Sequence, residues 1–173
     1  IPILIDENRS IFKIESFINN EDTTFINEDD TKPILKNIIN KLVPSINANY
    51  VSGKILNRFS RLINKDGKIS ILIIGGSVDG IGMKEFIISN DNNELIISDV
   101  SFGGDINIIC DYHSLPFKDN VIDAVIIQAV LEHVLDPYQC VNEISRVLKI
   151  GGYVLSEIPF MQQLHQAPYD FKI

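Results

Sequence analysis

The chain has 173 residues and 45% of them are hydrophobic, which is enough for one globular domain with a buried core. Its formal charge of −8 at pH 7 argues against nucleic acid or an anionic membrane surface as the partner, because both bind a basic face. Two cysteines without CxxC spacing, no apolar run near the roughly 20 residues of a membrane span, and no signal segment predict a soluble, cytoplasmic protein.

The first third of the chain predicts an arm followed by two helices. Residues 1–30 are irregular and become acidic toward their end, so we interpret them as an exposed N-terminal arm. A helical lead-in over residues 31–66 follows. Its first helix, TKPILKNIINKLV, has Thr31 as N-cap and apolar residues at a helical period. Its second helix, SGKILNRFSRLIN, carries apolar residues on one face and basic residues on the other.

The remainder alternates short apolar runs with helical stretches. Continuous apolar runs predict strands that are covered on both faces, as in a parallel sheet with helices on either side. The fold class is therefore α/β, with a Rossmann-like, doubly wound and mostly parallel sheet. Helices fit over IGMKEFIISN and DPYQCVNEISRVLK, the latter with Asp136 as N-cap, Pro137 at its first position and Gly151 as its stop. The predicted strands are ISILII, ELIISD, INIICD, VIDAVIIQ and GGYVLSEI.

A glycine-rich turn, GGSVDGIG, follows the first of these strands and indicates a ligand site. In an open parallel sheet, ligands bind beyond the carboxyl ends of the strands, and glycines let the backbone approach them closely. Asp99 ends the next strand, where a carboxylate can accept hydrogen bonds from ribose hydroxyls. Asp111 and Gln128 end the two strands after it. The spacing fits a dinucleotide and an adenosyl ligand equally, although the spread glycines disfavour the GxGxxG turn that binds a pyrophosphate.

Three downstream motifs, LPFKDNVIDAV, LEHVLDP and EISRVLKIGG, together resemble the core of the class I S-adenosylmethionine-dependent methyltransferases of type 11. The resemblance covers residues 69–159, a cofactor-binding core within a methyltransferase-like domain over residues 31–173. It implies S-adenosyl-L-methionine as cofactor and methyl transfer to a small-molecule, glycan or lipid acceptor. It also implies two further strands, so we expect the chain to be truncated and the edge of YVLSEI to be covered by a partner chain, as in a homodimer, or by the N-terminal arm.

For individual residues, the resemblance implies a cofactor site along the strand ends. The implied cofactor-binding residues are Gly75, Gly76, Ser77, Gly80, Asp99, Val100, Asp111, Tyr112, Gln128 and Ala129. The glycine turn passes beneath the methionine and ribose, Asp99 holds the ribose hydroxyls, and Asp111 accepts from the adenine amino group. Val100 and the Tyr112 backbone lie against the adenine ring. Gln128 and Ala129 lie near the methionine portion and the acceptor.

Methyl transfer requires alignment of donor and acceptor and, for some acceptors, a base. A neutral histidine suits that task near neutral pH, and His133 in LEHVLDP is the candidate catalytic base. The alternative for His133 is a structural role in capping or packing, and His113 is interpreted as a surface or lid residue. The residues interpreted as substrate contacts are His165, Tyr169 and Asp170, and those interpreted as helix-surface or ion-pair residues are Glu132, Glu143 and Arg146.

Two departures from the family pattern keep a second class of function open. Ile74 stands where an acidic residue usually closes the first strand, and Ser77 replaces a glycine. Unless Asp79 supplies the missing carboxylate, the ammonium group of the cofactor lacks an anionic acceptor. The second hypothesis is therefore a noncatalytic methyltransferase-like module that binds cofactor weakly or not at all and serves in assembly. A nicotinamide-dependent reductase is the third, and the spread glycines disfavour it.

Overall fold

The computed structural model of the chain describes residues 2–6, 8–9, 49–64, 67–76, 82–101 and 105–158. These residues form one six-stranded parallel sheet with helices on both faces. The α/β, doubly wound fold expected from the sequence is therefore confirmed. The predicted features that lie outside the described residues are the helix over 31–43, Ser77, Asp79, Gly80, His165, Tyr169 and Asp170.

Five of the six strands correspond to the runs predicted from the sequence. The strands are β1 (Ile3–Leu4), β2 (Ser70–Ile74), β3 (Glu94–Asp99), β4 (Ile108–Cys110), β5 (Ile122–Gln128) and β6 (Leu148–Glu157). Their order in the sheet is β1-β4-β3-β2-β5-β6, and every neighbouring pair is parallel. The chain leaves β2 toward β3 on one side and later returns to β5 on the other. A ligand crevice is expected at this change of direction, beyond the carboxyl ends of the strands.

Both faces of the central strand β2 are buried, which explains why it is apolar from Ile71 to Ile74. Along β2, Leu72 and Ile74 pack in one core, whereas Ile71 and Ile73 pack in the other. Successive side chains of a strand point to opposite faces, so a strand with a core on each side needs an apolar residue at every position.

Helices α1 (Asn49–Ile63) and α2 (Met83–Ser89) cover one face of the sheet. The predicted apolar face of α1 is confirmed in part, because Leu56, Phe59 and Ile63 are buried there, whereas Ile55 and Leu62, which were also expected on it, are exposed. Phe59 also meets Phe86 of α2, with 6.5 Å between the ring centroids. The opposite face is covered by helix α3 (Pro137–Val147). None of the described helices combines the length and the apolar character needed to cross a membrane.

Helix α3 begins as predicted but ends earlier than predicted. The side chain of Asp136 accepts a hydrogen bond from the backbone N–H of Gln139 at 3.0 Å, and Pro137 occupies the first position. The prediction that Gly151 stops the helix is wrong. The helix ends at Val147 because Leu148 already pairs with Ile122 of β5, so the sheet takes over the backbone before the glycine is reached.

Strand β1 lies at the edge of the sheet opposite to β6. Ile3 pairs with Ile109 of β4, and the backbone N–H of Ile109 donates to the carbonyl of Pro2 at 3.0 Å. The described part of the N-terminal arm therefore lies at the edge opposite to β6, and coverage of β6 by the remainder of the arm stays a prediction. Within the described residues no strand lies beyond β6, and its pairing with a partner chain stays a prediction.

Candidate cofactor site

The glycine turn begins where β2 ends, and its first two residues are glycines for reasons of packing. Gly75 has a φ of +82°, and a Cβ at this position would lie 2.3 Å from Cγ2 of Val130. A Cβ on Gly76 would lie 2.9 Å from Cγ1 of Ile106. Any larger residue would therefore push the turn away from the strands on either side of it.

The backbone carbonyl of Ser98 anchors this turn to β3. It accepts hydrogen bonds from the N–H groups of Gly75 and Gly76 at 3.1 and 3.0 Å, and from the hydroxyl of Tyr112 at 3.1 Å. The N–H of Gly75 also reaches the Tyr112 oxygen at 3.1 Å. The end of β3, the glycine turn and the residue after Asp111 are thus joined at one point.

Tyr112 is a buried support for the glycine turn. Burial raises the pKa of Tyr112 well above its usual value, so the phenol stays protonated and donates to Ser98. From the sequence, only the backbone of Tyr112 was assigned a place, near the adenine ring, and that contact stays a prediction. The role of its side chain was missed, and no motif could have indicated it, because it depends on the distance between two separate strand ends.

Asp99 ends β3 at the carboxyl edge of the sheet, as predicted. Its Oδ1 accepts from the backbone N–H and from the hydroxyl of Ser101, each at 3.0 Å. These two bonds fix the orientation of a half-buried carboxylate, which is what ribose binding requires. The neighbouring Val100 packs against the core cluster that contains Leu72 and Ile74. Ribose binding by Asp99 and the ring contact of Val100 stay predictions.

Asp111 follows β4 at the same edge and is paired with His113. Its Oδ1 accepts from the backbone N–H of His113 at 2.9 Å and lies 2.7 Å from Nδ1 of that ring. Nε2 of His113 in turn accepts from the backbone N–H of Asp136 at 3.2 Å, so the proton of the neutral ring lies on Nδ1. His113 is therefore buried between two elements, and its interpretation as a surface or lid residue is wrong.

Gln128 and Ala129 meet the last residue of β6. The side-chain nitrogen of Gln128 donates to Oε2 of Glu157 at 2.7 Å, and the hydroxyl of Ser52 in α1 donates to the same oxygen, also at 2.7 Å. Ala129 has a φ of +50°, and its N–H donates to the Glu157 carbonyl at 2.9 Å. Glu157 was missed by the sequence analysis. The rule that selected Asp99, a polar residue at the carboxyl end of a strand, would have found it.

His133 and Glu132 lie in the turns after β5. Nε2 of His133 is 3.8 Å from Oε1 of Glu132, within ion-pair distance, and the histidine side chain is 17% exposed. Glu132 itself is only 4% exposed, and neither of its carboxylate oxygens has a hydrogen-bond partner. The helix-surface interpretation of Glu132 is therefore wrong, because the residue is buried in a turn. The catalytic role of His133 stays a prediction.

Glu143 and Arg146 form the expected ion pair, but at a buried position and away from the strand ends. Nη2 of Arg146 lies 2.6 Å from Oε2 of Glu143, and these hydrogen bonds hold the pKa of Glu143 below its usual value. Arg146 also donates to the carbonyls of Leu115 and Phe117, at 2.9 and 2.7 Å. The pair therefore holds the helix-free connection between β4 and β5 against α3.

The candidate site is rich in carboxylates. Asp99, Asp111, Glu132 and Glu157 come at or just after the carboxyl ends of β3, β4, β5 and β6. Such an edge favours a cationic ligand and repels phosphates. S-adenosylmethionine, with its sulfonium and ammonium groups, fits this charge better than the pyrophosphate of a dinucleotide does.

Comparison with known proteins agrees with this fold. Residues 88–156 match the family model of a methyltransferase domain. The chain is 32% identical over 105 residues to the ubiquinone/menaquinone biosynthesis C-methyltransferase UbiE of Hahella chejuensis, covering 60% of this chain and 38% of that protein. It is 30% identical over 104 residues to UbiE of Cellvibrio japonicus, with the same coverage of both chains. The chain thus spans less than half the length of these curated relatives.

A solved structure supports the same assignment at the level of the fold. The carbon methyltransferase DszA matches with a TM-score of 0.52 and 20% sequence identity, over 65% of this chain and 36% of that one. The resemblance noted in the sequence is therefore confirmed. Over the matched residues the chain is similar to methyltransferases of the class I S-adenosylmethionine-dependent family, which use S-adenosylmethionine as cofactor.

Proposed function

We propose that the chain forms the cofactor-binding part of a methyltransferase that acts on a small-molecule, glycan or lipid acceptor. The observation that carries this proposal is the set of bonds around the Ser98 carbonyl. These bonds hold the glycine turn beside two strand ends, one closed by Asp99 and the other followed by Asp111. A bare backbone turn with two carboxylates on one side of it suits an adenosine with a cationic tail.

The proposed reaction requires little covalent chemistry from the protein's own groups. When bound, S-adenosylmethionine supplies a methyl group on a positively charged sulfur. The acceptor takes the methyl group and displaces the sulfur in line. The protein aligns the two reactants and, where the acceptor carries a proton, removes it. Asp99 and Asp111 are the residues proposed to hold the adenosine. His133 is the proposed base, because it lies at the same edge with part of its ring exposed.

The relatives favour one kind of acceptor atom. The two UbiE proteins are named C-methyltransferases, and DszA is described as a carbon methyltransferase. Carbon is therefore the acceptor atom to test first, within the proposed classes of acceptor.

A noncatalytic module is the second candidate, and two observations favour it. Ile74, at the position where the family has an acidic residue, is buried in the core. The N–H groups of Gly75 and Gly76 are already bonded to Ser98 and so do not point at a ligand. Both features lower the number of groups that hold the methionine end of the cofactor.

Titration calorimetry with S-adenosylmethionine, S-adenosylhomocysteine and NAD separates these candidates. We expect binding of the two adenosyl ligands in the micromolar range and no heat with NAD. Absence of heat with all three ligands, in protein shown to be folded, would favour the noncatalytic module. Binding of NAD alone would support the reductase and contradict the proposal.

The variant Asp99→Ala tests the proposed ribose contact. We expect it to weaken S-adenosylhomocysteine binding by roughly 10- to 100-fold, because a charge-assisted hydrogen bond is lost. His133→Asn is the control, since it alters the same edge but is expected to keep ligand binding and lower only turnover. Equal binding by Asp99→Ala and the unaltered protein would show that Asp99 does not hold the ribose.

A further inference from the structure

We infer that Glu157 is the carboxylate that binds the ammonium group of the cofactor's methionine portion, in place of the acidic residue absent at Ile74. This inference rests on the proposed function and adds a residue that the family pattern does not supply. It is carried by an unsatisfied carboxylate oxygen, by the charge around it and by its position beside the glycine turn.

The position after β2 cannot supply the acceptor itself. The side chain of Ile74 is 1% exposed and packs with Leu72 and Ile127 in the core on the α3 side of the sheet. It carries no polar atom. An ammonium group above the turn therefore needs a partner from another strand.

The two oxygens of the Glu157 carboxylate are in different situations. Oε2 accepts two short hydrogen bonds, each 2.7 Å long, from Ser52 and Gln128. Oε1 is shut off from solvent and has no hydrogen-bond partner. A buried polar atom without a partner is rare in folded proteins, and one that is held in place by bonds to its sister oxygen is ready to accept from a ligand.

The charge of Glu157 is also uncompensated among the described residues. Its two donors, a hydroxyl and an amide, are neutral, and no ion pair joins Glu157 to a described lysine, arginine or histidine. An ammonium group supplies both a hydrogen-bond donor for Oε1 and a compensating charge, because it has three N–H donors and is positively charged. A phosphate group at the same point would instead be repelled.

Glu157 lies on the side of the glycine turn where the methionine end of the cofactor is expected. It pairs in register with Gln128, whose carbonyl is 3.7 Å from the point that a Cβ on Gly75 would occupy. Asp99, the proposed ribose partner, lies on the other side of β2. Three strand spacings, about 14 Å, separate the ends of β3 and β6. The side chains of Asp99 and Glu157, with the extended cofactor between them, span this distance.

Glu132 is the other carboxylate at this edge with unsatisfied oxygens, and it is the weaker candidate. Its Oε1 already has the ring of His133 at 3.8 Å, a side chain that can carry positive charge. No bond fixes either oxygen of Glu132 toward a ligand. Glu157 combines a fixed orientation with an uncompensated charge, so we assign the ammonium group to it.

The test compares two ligands that differ only at the amino-acid end. S-adenosylhomocysteine carries the ammonium group, whereas 5′-methylthioadenosine keeps the nucleoside and the thioether but lacks the amino acid. For Glu157→Gln we expect calorimetry to give a roughly 10- to 100-fold weaker affinity for S-adenosylhomocysteine and an unchanged affinity for methylthioadenosine. Asp99→Ala, as the matched comparison, is expected to weaken both ligands.

A second variant covers the case in which Glu157→Gln fails to fold. Ser52→Ala keeps the carboxylate but removes one of the two donors that orient it, so we expect a smaller loss with the same selectivity for S-adenosylhomocysteine. Thermal unfolding of each variant shows which of them are folded.

The outcomes distinguish this inference from the proposed function. Unaltered protein that binds S-adenosylhomocysteine, together with a folded Glu157→Gln variant that binds it equally well or loses both ligands alike, would overturn the ammonium contact alone. A selective loss in Glu132→Gln but not in Glu157→Gln would also overturn it. Unaltered protein that binds neither ligand would overturn the proposed function and the ammonium contact with it.

Discussion

At the residue scale, the carbonyl of Ser98 determines how a ligand can be held. It accepts from the first two N–H groups of the glycine turn, which in many nucleotide-binding turns are left for the ligand. A ligand above this turn therefore depends on side chains at the strand ends, such as Asp99. That dependence is why single substitutions of these carboxylates are expected to have large effects on affinity.

The two cysteines provide a prediction at the same scale. Cys110 and Cys140 are fully buried, and burial raises the pKa of each thiol to about 12. Only the thiolate is reactive, so we expect neither cysteine to react with Ellman's reagent at pH 8 in the folded protein. In guanidinium chloride both should react, giving two thiols per chain. Rapid reaction of one thiol in the folded protein would show that its surroundings open to solvent.

Individual site residues were predictable from the sequence only where a strand end fixed them. Asp99, Asp111 and Gln128 could be assigned to one edge because parallel strands end together. The burial of His113 could not, since it depends on the N-terminus of α3 coming to lie over the β4–β5 connection. The support that Tyr112 gives to the glycine turn was not predictable either, because its bond to Gly75 joins residues 37 positions apart.

At the scale of elements, the start of α2 depends on a close contact between two glycines. Gly82 has a φ of +93°, and a Cβ there would lie 2.5 Å from the Cα of Gly53 in α1. Gly67 also has a positive φ, +102°, but nothing lies within 4 Å of the point its Cβ would occupy. The two positions thus share the backbone requirement and differ in the space around them.

These two glycines give a matched pair of variants. We expect Gly82→Ala to lower the free energy of unfolding by roughly 2–4 kcal/mol, because backbone strain and a clash with backbone atoms add together. Gly67→Ala should cost only about 1–2 kcal/mol, which is the strain alone. Urea unfolding followed by circular dichroism measures both values. Equal losses would mean that α1 and α2 separate easily to accommodate the methyl group.

The elements were more predictable from the sequence than the points where they end. Four consecutive residues of each of β2 and β5, 71–74 and 124–127, are apolar, so both strands were recognisable without their partners. The helix predicted for α3 ran to Lys149 with Gly151 as its stop, whereas α3 ends at Val147. A local glycine rule failed there because the transition is set by pairing with β5, which is a long-range contact. Strand β1 is only two residues long and lies in the strand-like segment IPILID, within the residues interpreted as an exposed arm.

At the scale of the whole molecule, Glu143 links three separate parts of the chain. It accepts from Arg146 within α3, from the backbone N–H of Leu115 at 2.9 Å, and from the Arg9 side chain at 3.3 Å. Hydrogen bonds from Arg146, more than any other cause, lower the pKa of the Glu143 carboxyl. Its ionised form is therefore favoured by folding, and its protonation opposes folding.

Acid sensitivity follows from this linkage. A carboxyl whose pKa is lowered by folding contributes stability that is complete above its ordinary pKa of 4.5 and is lost as the pH falls toward the folded value. We expect Glu143→Gln to cost about 2–3 kcal/mol at pH 7, and the difference from the unaltered protein to shrink progressively below pH 4.5. Urea unfolding at a series of pH values measures this difference.

The control for this prediction is Asp119→Asn. Asp119 contacts the same arginine at 2.7 Å, but its side chain is 67% exposed, so its removal should cost less than about 1 kcal/mol. A pH-independent difference between Glu143→Gln and the unaltered protein would show that the residue acts through packing and not through its charge.

The pairing of β1 with β4 also bears on the order of events during biosynthesis. Ile3 leaves the ribosome before its partner Ile109, which is translated more than a hundred residues later. Strand β1 can therefore pair only after β4 has been made. Closing so long a loop has an entropic cost, and only two paired residues offset it. Residues 3–4 are therefore expected to be among the last to join the sheet and the first to detach from it.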